Sequence, residues 1–210
     1  MNTTTPRECF NALLVKKLIK EFAKRNIEGF YCETKEEAVK KVLEIIPIDS
    51  LVSCGGSATL HELGLQNELK NKGFNFLNPD DAQGGKAKEN AAHQALNADY
   101  YLMSANAISA SGEIVNLDGI GNRVAALSFG PKNVLIIAGI NKVEPNLDTA
   151  ILRAKTYAAP LTLLLFKQDY TSYDELCEAA EKAWSQLVIT SMSTFKGRIK
   201  VILVGEDLGF

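Results

Sequence analysis

The sequence predicts an α/β layered domain built on an open, mostly parallel sheet flanked by helices. Three observations lead there. Runs with helical periodicity alternate with short apolar, β-prone runs along the chain. One of them, Val134 to Ala138, is almost wholly apolar, as suits a central strand covered on both faces. Two glycine-bearing loops, Cys54 to Ser57 and Ser104 to Arg123, follow strand-like runs, where such a sheet presents its ligand loops. The 210 residues fit one domain, read as 1–210 with 1–29 as an N-terminal helical extension. An apolar content of 46% is enough for a sizeable core.

The elements follow in order. Thr5 caps a first helix, Pro6 suits its first position and Glu8 completes a capping box. Phe10, Leu13, Leu14, Leu18 and Phe22 then recur at helical spacing, and Asn26 and Gly29 mark the end. Phe30 and Tyr31 read as a short strand. Thr34 and Glu37 form a second capping box before the apolar face Val39, Val42, Leu43 and Ile46, and Pro47 stops that helix. Leu51 to Ser53 is a strand, and a helix is expected from Ala58. Gly64 breaks it, and another runs from Gln66 to Lys72. Phe74 to Leu77 reads as a strand, and Asn78 to Lys88 as a loop, the best candidate for a lid or a partner contact.

Glu89 to Asn97 is predicted helical and Asp99 to Met103 a strand. Ser109 to Gly112 is a turn between short strands around Ile108 and Ile114-Val115. Asn122 to Ser128 reads as a helix ended by Gly130-Pro131. Beyond the central strand, Leu147 to Tyr157 carries Leu147, Ile151, Ala154 and Ala158 on one helical face. Leu161 to Phe166 is a strand candidate and Asp174 to Leu187 a helix. Val188 to Met192 and Arg198 to Val204, joined through Lys196-Gly197, are expected to pair as a hairpin near one sheet edge.

Composition excludes several functions. Lys plus Arg is 23 against 25 Asp plus Glu, a net charge of -2, which makes no electrostatic case for nucleic acid or a membrane surface. The longest apolar runs fall far short of a membrane span. The opening MNTTTPRE has no basic flank before an apolar core, so no signal peptide and a cytoplasmic location are expected. The four cysteines, at 9, 32, 54 and 177, form no CxxC pair, so no metal and no cofactor are expected. Assembly into a homo-oligomer stays open.

Two loops have the residues for chemistry. In Cys54-Gly55-Gly56-Ser57, glycines let the backbone approach a ligand, and the following helix offers free N–H groups to an anion. A tight structural turn is the alternative. Cys54 is a weaker candidate nucleophile, with no evident base beside it. In Ser104 to Arg123, the carboxylates Glu113 and Asp118 stand among Asn106, Asn116 and Asn122, interleaved with Gly112, Gly119 and Gly121. Carboxylates near amides suit proton transfer beside a carbonyl or hydroxyl, and Arg123 suits a phosphate or carboxylate. Glu113 and Asn116 are read onto one side of a short strand. The alternative is a hairpin whose polar residues only satisfy turn geometry.

VSCGGSATLHELGL, the segment from NADYYLMSANAISASGEIVNLDGIGNRVAALSFG to PKNVLIIAGINKV, and KGRIKVILVGEDLGF resemble the LUD-domain family, which includes the lactate-utilisation subunit LutC. The likeness is greatest to its short stand-alone members and runs from about Gly29 to Phe210. It implies a fold similar to ribose-phosphate isomerases and CoA transferases, whose glycine-serine loop binds phosphate or another anion. That favours Gly55, Gly56 and Ser57 as ligand-binding residues. The stretch from Asp99 to Asn122 also resembles the GAD…NG…NK.GT pattern of methylthioribose-phosphate isomerases. Asp99, Asn106, Asn116 and Gly119 to Gly121 are the nearest counterparts, while that pattern's lysine is absent, Leu117 following Asn116. Short relatives carry a cysteine cluster after the equivalent of Ala158-Ala159-Pro160; here only Cys177 stands in that region.

Two functions compete. The first is a protein that binds or converts a small anionic metabolite, a sugar phosphate or a hydroxy or keto acid. Gly55 to Ser57 and Arg123, with Gly119, Gly121 and Asn122, would hold it. Glu113 or Asp118 would act as acid or base, with Asp99, Asn106 and Asn116 orienting the substrate. The second is a non-catalytic accessory or regulatory subunit of an iron–sulfur lactate-oxidising system, docking on iron–sulfur redox partner proteins.

Overall fold

The computed structural model describes residues 5–210; part of the N-terminal segment read above for a leader, residues 1–4, lies outside them. The chain runs α1 (Pro6–Lys24), β1 (Glu28–Cys32), α2 (Lys35–Ile45), β2 (Leu51–Cys54), α3 (Ala58–Glu62), α4 (Leu65–Asn71), β3 (Asn75–Leu77), α5 (Gly85–Ala95) and β4 (Tyr100–Met103). It continues with β5 (Ala107–Ser109), β6 (Ile114–Asp118), α6 (Asn122–Ser128), β7 (Asn133–Gly139), β8 (Val143–Glu144) and α7 (Leu147–Arg153). A π-helical turn, Ala154–Ala158, joins α7 to α8 (Ala159–Leu164). Last come α9 (Tyr173–Ala183), β9 (Gln186–Thr190) and β10 (Ile199–Val204).

The predicted open parallel sheet is present. Its six strands lie in the order β1-β10-β7-β4-β2-β3 and every pairing is parallel. In β7, Val134 and Ile136 point to one face and Leu135 and Ile137 to the other, all fully buried. Strand alternation thus explains the continuous apolar run, since both faces are covered. On one face α1 packs Leu18 and Phe22 against Met103, Val134, Ile136 and Val201. On the other, α2, α3 and α4 bring Val42, Leu60 and Leu69 onto Val52, Leu135 and Ile202. A smaller sheet, β8-β5-β6-β9, lies alongside; β6 pairs antiparallel with both β5 and β9. Its inner residues Ala107, Val115 and Leu117 pack on Ala150, Ala154 and Ala180 of the α7–α9 segment.

The local signals at α1 hold: Thr5 accepts from the Glu8 amide while the Glu8 carboxylate accepts from the Thr5 amide at 2.6 Å. That helix is not an extension, however. Its buried stripe is a layer of the main core, and residues 28 and 29 already belong to β1. Three further expectations are corrected. Residues 161–164 are helical within α8, because a continuous apolar run does not distinguish a helix from a strand. The last two strands form no hairpin: β9 pairs with β6 in the small sheet, whereas β10 inserts between β1 and β7. The loop after β3 is shorter than read, since α5 starts at Gly85 without a side-chain cap to announce it.

If α1 is structural, Phe22→Ala should lower the unfolding free energy by about 3–5 kcal/mol in urea titration. Phe10→Ala, at a position 64% exposed, should leave it within about 0.5 kcal/mol of the parent.

Candidate functional site

Because the six strands are parallel, their carboxyl ends share one edge. From β2 the chain crosses outward to β3; from β4 it moves the other way, toward β7. The loops leaving β2 and β4 therefore diverge, and a crevice opens between them. A cleft of about 830 Å³ lies at that edge. Gly56 and Ser57 line it after β2, Ser104 to Asn106 after β4, and Lys142 after β7. The small sheet supplies Leu117 to Gly119, and α6 adds Asn122 and Arg123. Leu165, Phe166 and Trp184, from the ends of α8 and α9, form an apolar wall.

Gly55 holds the two predicted loops together. A Cβ there would meet the Cγ of Arg123 and lie 2.7 Å from the Tyr101 hydroxyl. Only hydrogen at this position lets the Arg123 stem lie against the β2 turn. Gly121, at φ 87°, takes the left-handed backbone that starts α6. Asp118 fixes the same junction. Its Oδ1 accepts from the Gly119 amide at 2.9 Å, and its Oδ2 from the amides of Arg123 and Val124 at 3.0 and 3.2 Å. It therefore caps α6, although it stands before the helix rather than at the usual capping position. Arg123 Nη2 donates to the Leu117 carbonyl at 2.8 Å and lies 3.6 Å from Asp118 Oδ1.

Lys142 is the least expected member. It follows β7 and is 3% exposed. Its Nζ donates to Thr59 Oγ1 at 2.8 Å and Ser104 Oγ at 3.1 Å. Burial first, then the charges of Arg153 and Arg123, push its pKa down to about 7. The one carboxylate that counters this, Glu62, is tied to Lys35 at 2.6 Å and to the Gly209 amide at 2.8 Å. Behind the cleft, Arg153 donates from Nη1 to the Asn106 carbonyl at 2.6 Å, and its guanidinium lies 5.0 Å from the Tyr157 ring centre.

The sequence-predicted residues divide as follows. Gly56, Ser57, Asn106, Asp118, Gly119, Asn122 and Arg123 come together on the cleft, with Gly55 and Gly121 supporting them. Asn106 Oδ1 accepts from the Leu117 amide at 2.9 Å. Asn116 is buried beneath, with Nδ2 donating to the Ser104 carbonyl at 3.1 Å and Oδ1 unpaired. Asp99 and Glu113 are not brought there. Asp99 precedes β4, at the opposite sheet edge, and accepts from the Leu51 amide at 2.9 Å. Glu113 lies three positions from Asn116, so strand alternation separates them rather than placing them on one side. Its carboxylate pairs with Arg25 at 2.6 Å and with the Ser109 hydroxyl. Burial pushes the Cys54 thiol up to about 11, away from the thiolate a nucleophile needs. Thr59, Ser104, Lys142 and Trp184 were not singled out by sequence reasoning. The available signal for Lys142 was its place just past the carboxyl end of a central strand. Among the described residues no helix is long and apolar enough to cross a membrane.

A model of the LUD domain matches residues 15–204. The chain belongs to the LUD domain family. No sequence among the curated proteins matches it. Among solved structures, a DUF162 family protein from Deinococcus radiodurans has a TM-score of 0.55 at 13% identity, covering 92% of this chain and 98% of that one. This likeness shows a shared fold. eIF2B delta from Chaetomium thermophilum has a TM-score of 0.38 at 13% identity, over 69% of this chain and 56% of that one. The tetrameric eIF2B-beta2-delta2 complex from C. thermophilum gives 0.41 at 13% identity, over 92% and 58%. At those scores neither adds to the fold assignment.

The buried lysine of this LUD domain makes stability depend on pH. Lysine in an unfolded chain titrates near ~10.4. Between about pH 7 and that value the unfolded chain keeps a proton that folded Lys142 releases, so its burial becomes less costly as pH rises. Lys142→Met removes the cost. Its gain in unfolding free energy over the parent should be largest at about pH 6 and shrink by about pH 9, as read by urea titration at both.

Proposed function

We propose that this LUD domain binds a small anionic metabolite, a hydroxy or keto acid or a sugar phosphate, in the cleft between the Gly55–Ser57 loop and the 104–123 stretch. The observation that carries the reading is Lys142. It is a buried cation whose hydrogen-bond partners are two hydroxyls, and no carboxylate forms an ion pair with it among the described residues. A charge taken out of water is costly unless compensated. An anion seated beside Nζ supplies the compensation, and two neighbouring guanidiniums favour it further.

Arg123 is the second anchor. It borders the cleft, and its contact with Asp118 is a single one at 3.6 Å rather than a bidentate pair. Asp118, held by three amides, positions the start of α6 instead of serving as a free base. Leu165, Phe166 and Trp184 give the ligand's carbon skeleton an apolar wall. A polar end with few charges facing an apolar wall suits a small organic anion.

Thermal-shift and calorimetric titration with inorganic phosphate, ribose 5-phosphate, lactate and pyruvate tests the reading. At least one should stabilise the protein. Lys142→Met and Arg123→Met should each weaken that ligand by about tenfold or more, as expected for a lost charge-assisted hydrogen bond. Asp99→Asn, remote from the cleft, should bind as the parent does. No response to any of the four, or undiminished binding by Lys142→Met, would overturn it.

A further inference from the structure

We propose that Lys142 is a covalent carbonyl-binding residue: its Nζ forms a reversible imine with the keto group of a 2-keto acid bound in the cleft. This rests on the anion-binding reading and narrows it, because hydroxy acids offer the amine no electrophilic carbon.

The placement is what the chemistry needs. An amine attacks a carbonyl only through its lone pair, so the neutral form must be present, and buried lysines are the ones that reach it near neutral pH. Lys142 stands in a cleft wall with its stem buried, facing two guanidinium groups and no paired carboxylate. Those cations disfavour the ammonium form, and its pKa of about 7 is consistent with that arrangement. A surface lysine paired to an acid, such as Lys35 with Glu62 at 2.6 Å, is held in the opposite state. The hydroxyls of Thr59 and Ser104 fix where the lone pair points, at 2.8 and 3.1 Å from Nζ. Each can accept a proton from the nitrogen while donating its own.

The step balances without any other reactant. The Nζ lone pair bonds to the keto carbon, and the carbonyl π electrons move to oxygen. A proton passes from nitrogen to that oxygen through the Ser104 or Thr59 hydroxyl, giving a carbinolamine. A second nitrogen proton follows the same route as the carbon–oxygen bond breaks, and water leaves. One amine and one ketone become one imine and one water, with no change of oxidation state. The acid's carboxylate is placed toward Arg123, and its alkyl end toward Phe166 and Trp184.

The full-length protein is incubated with pyruvate, and separately with glyoxylate and 2-oxobutyrate, then reduced with sodium borohydride. Peptide mass mapping should find the reduced adduct on the peptide bearing Lys142, in large excess over any exposed lysine. Lys142→Arg keeps the charge, so pyruvate should still raise its melting temperature while the adduct is lost. Stabilisation of the parent by pyruvate with no adduct on Lys142, or with adducts spread over surface lysines, overturns the imine and leaves the anion reading standing. If neither keto acids nor phosphate stabilise the parent and no adduct forms, both readings fall.

Discussion

Parallel pairing of β2, β4, β7 and β10 is the constraint on which the rest of this structure depends. A parallel strand needs a crossover of a dozen or more residues before its neighbour, and that crossover has to cover a face of the sheet. Both faces are then sealed by helices, so the strands in the middle are apolar on both sides. The only place left for polar groups is the edge where the chain leaves each strand. Gly56-Ser57, Ser104-Asn106 and Lys142 come from three different strands and meet because their strands run the same way.

The small sheet completes the cleft through a few close contacts rather than a large apolar interface. Arg123 passes against the flat face of Gly55 on one side and reaches the Leu117 carbonyl on the other. Asp118 holds the start of α6 with three backbone N–H groups, so the charge of Arg123 is delivered to a fixed place. Arg153 does the corresponding work from behind, holding the Asn106 carbonyl that leads into β5. Four charged side chains are thus kept in or beside one cleft, three of them cationic. This imbalance is what distinguishes the site from an ordinary buried ion-pair network.

What the sequence made legible was local. The Thr5 capping box, the turn at Ser109 to Gly112, the apolar run of β7 and the start of α6 at Asn122 are all signalled by residues within a few positions of one another. Partner choice is not local, and that is where reading failed. Lys196-Gly197 suggests a turn between neighbouring strands, yet β9 and β10 go to different sheets because each completes a pairing set elsewhere. The site divides the same way. Asp118 and Arg123 could be read because they sit beside the glycine turn they serve. Glu113 is as polar as they are, but its charge is used by Arg25, 88 positions earlier. Lys142 looked like a solvated loop lysine. Its character comes from Thr59 and Ser104, which are 83 and 38 positions away, and from burial that no pattern of neighbours announces.

The π-helical turn at Ala154–Ala158 sets the register of everything after it. A π turn amounts to one residue inserted into an α-helix. Deleting a single residue from this turn would restore an ordinary helix and rotate the following segment by about 100°. Leu165 and Phe166 would leave the cleft wall, while Arg153, which precedes the turn, would keep its hold on Asn106. The polar and apolar halves of the pocket are therefore separable in evolution. One codon lost or gained in this turn could exchange the surface that meets a ligand's carbon skeleton while leaving the cationic end untouched.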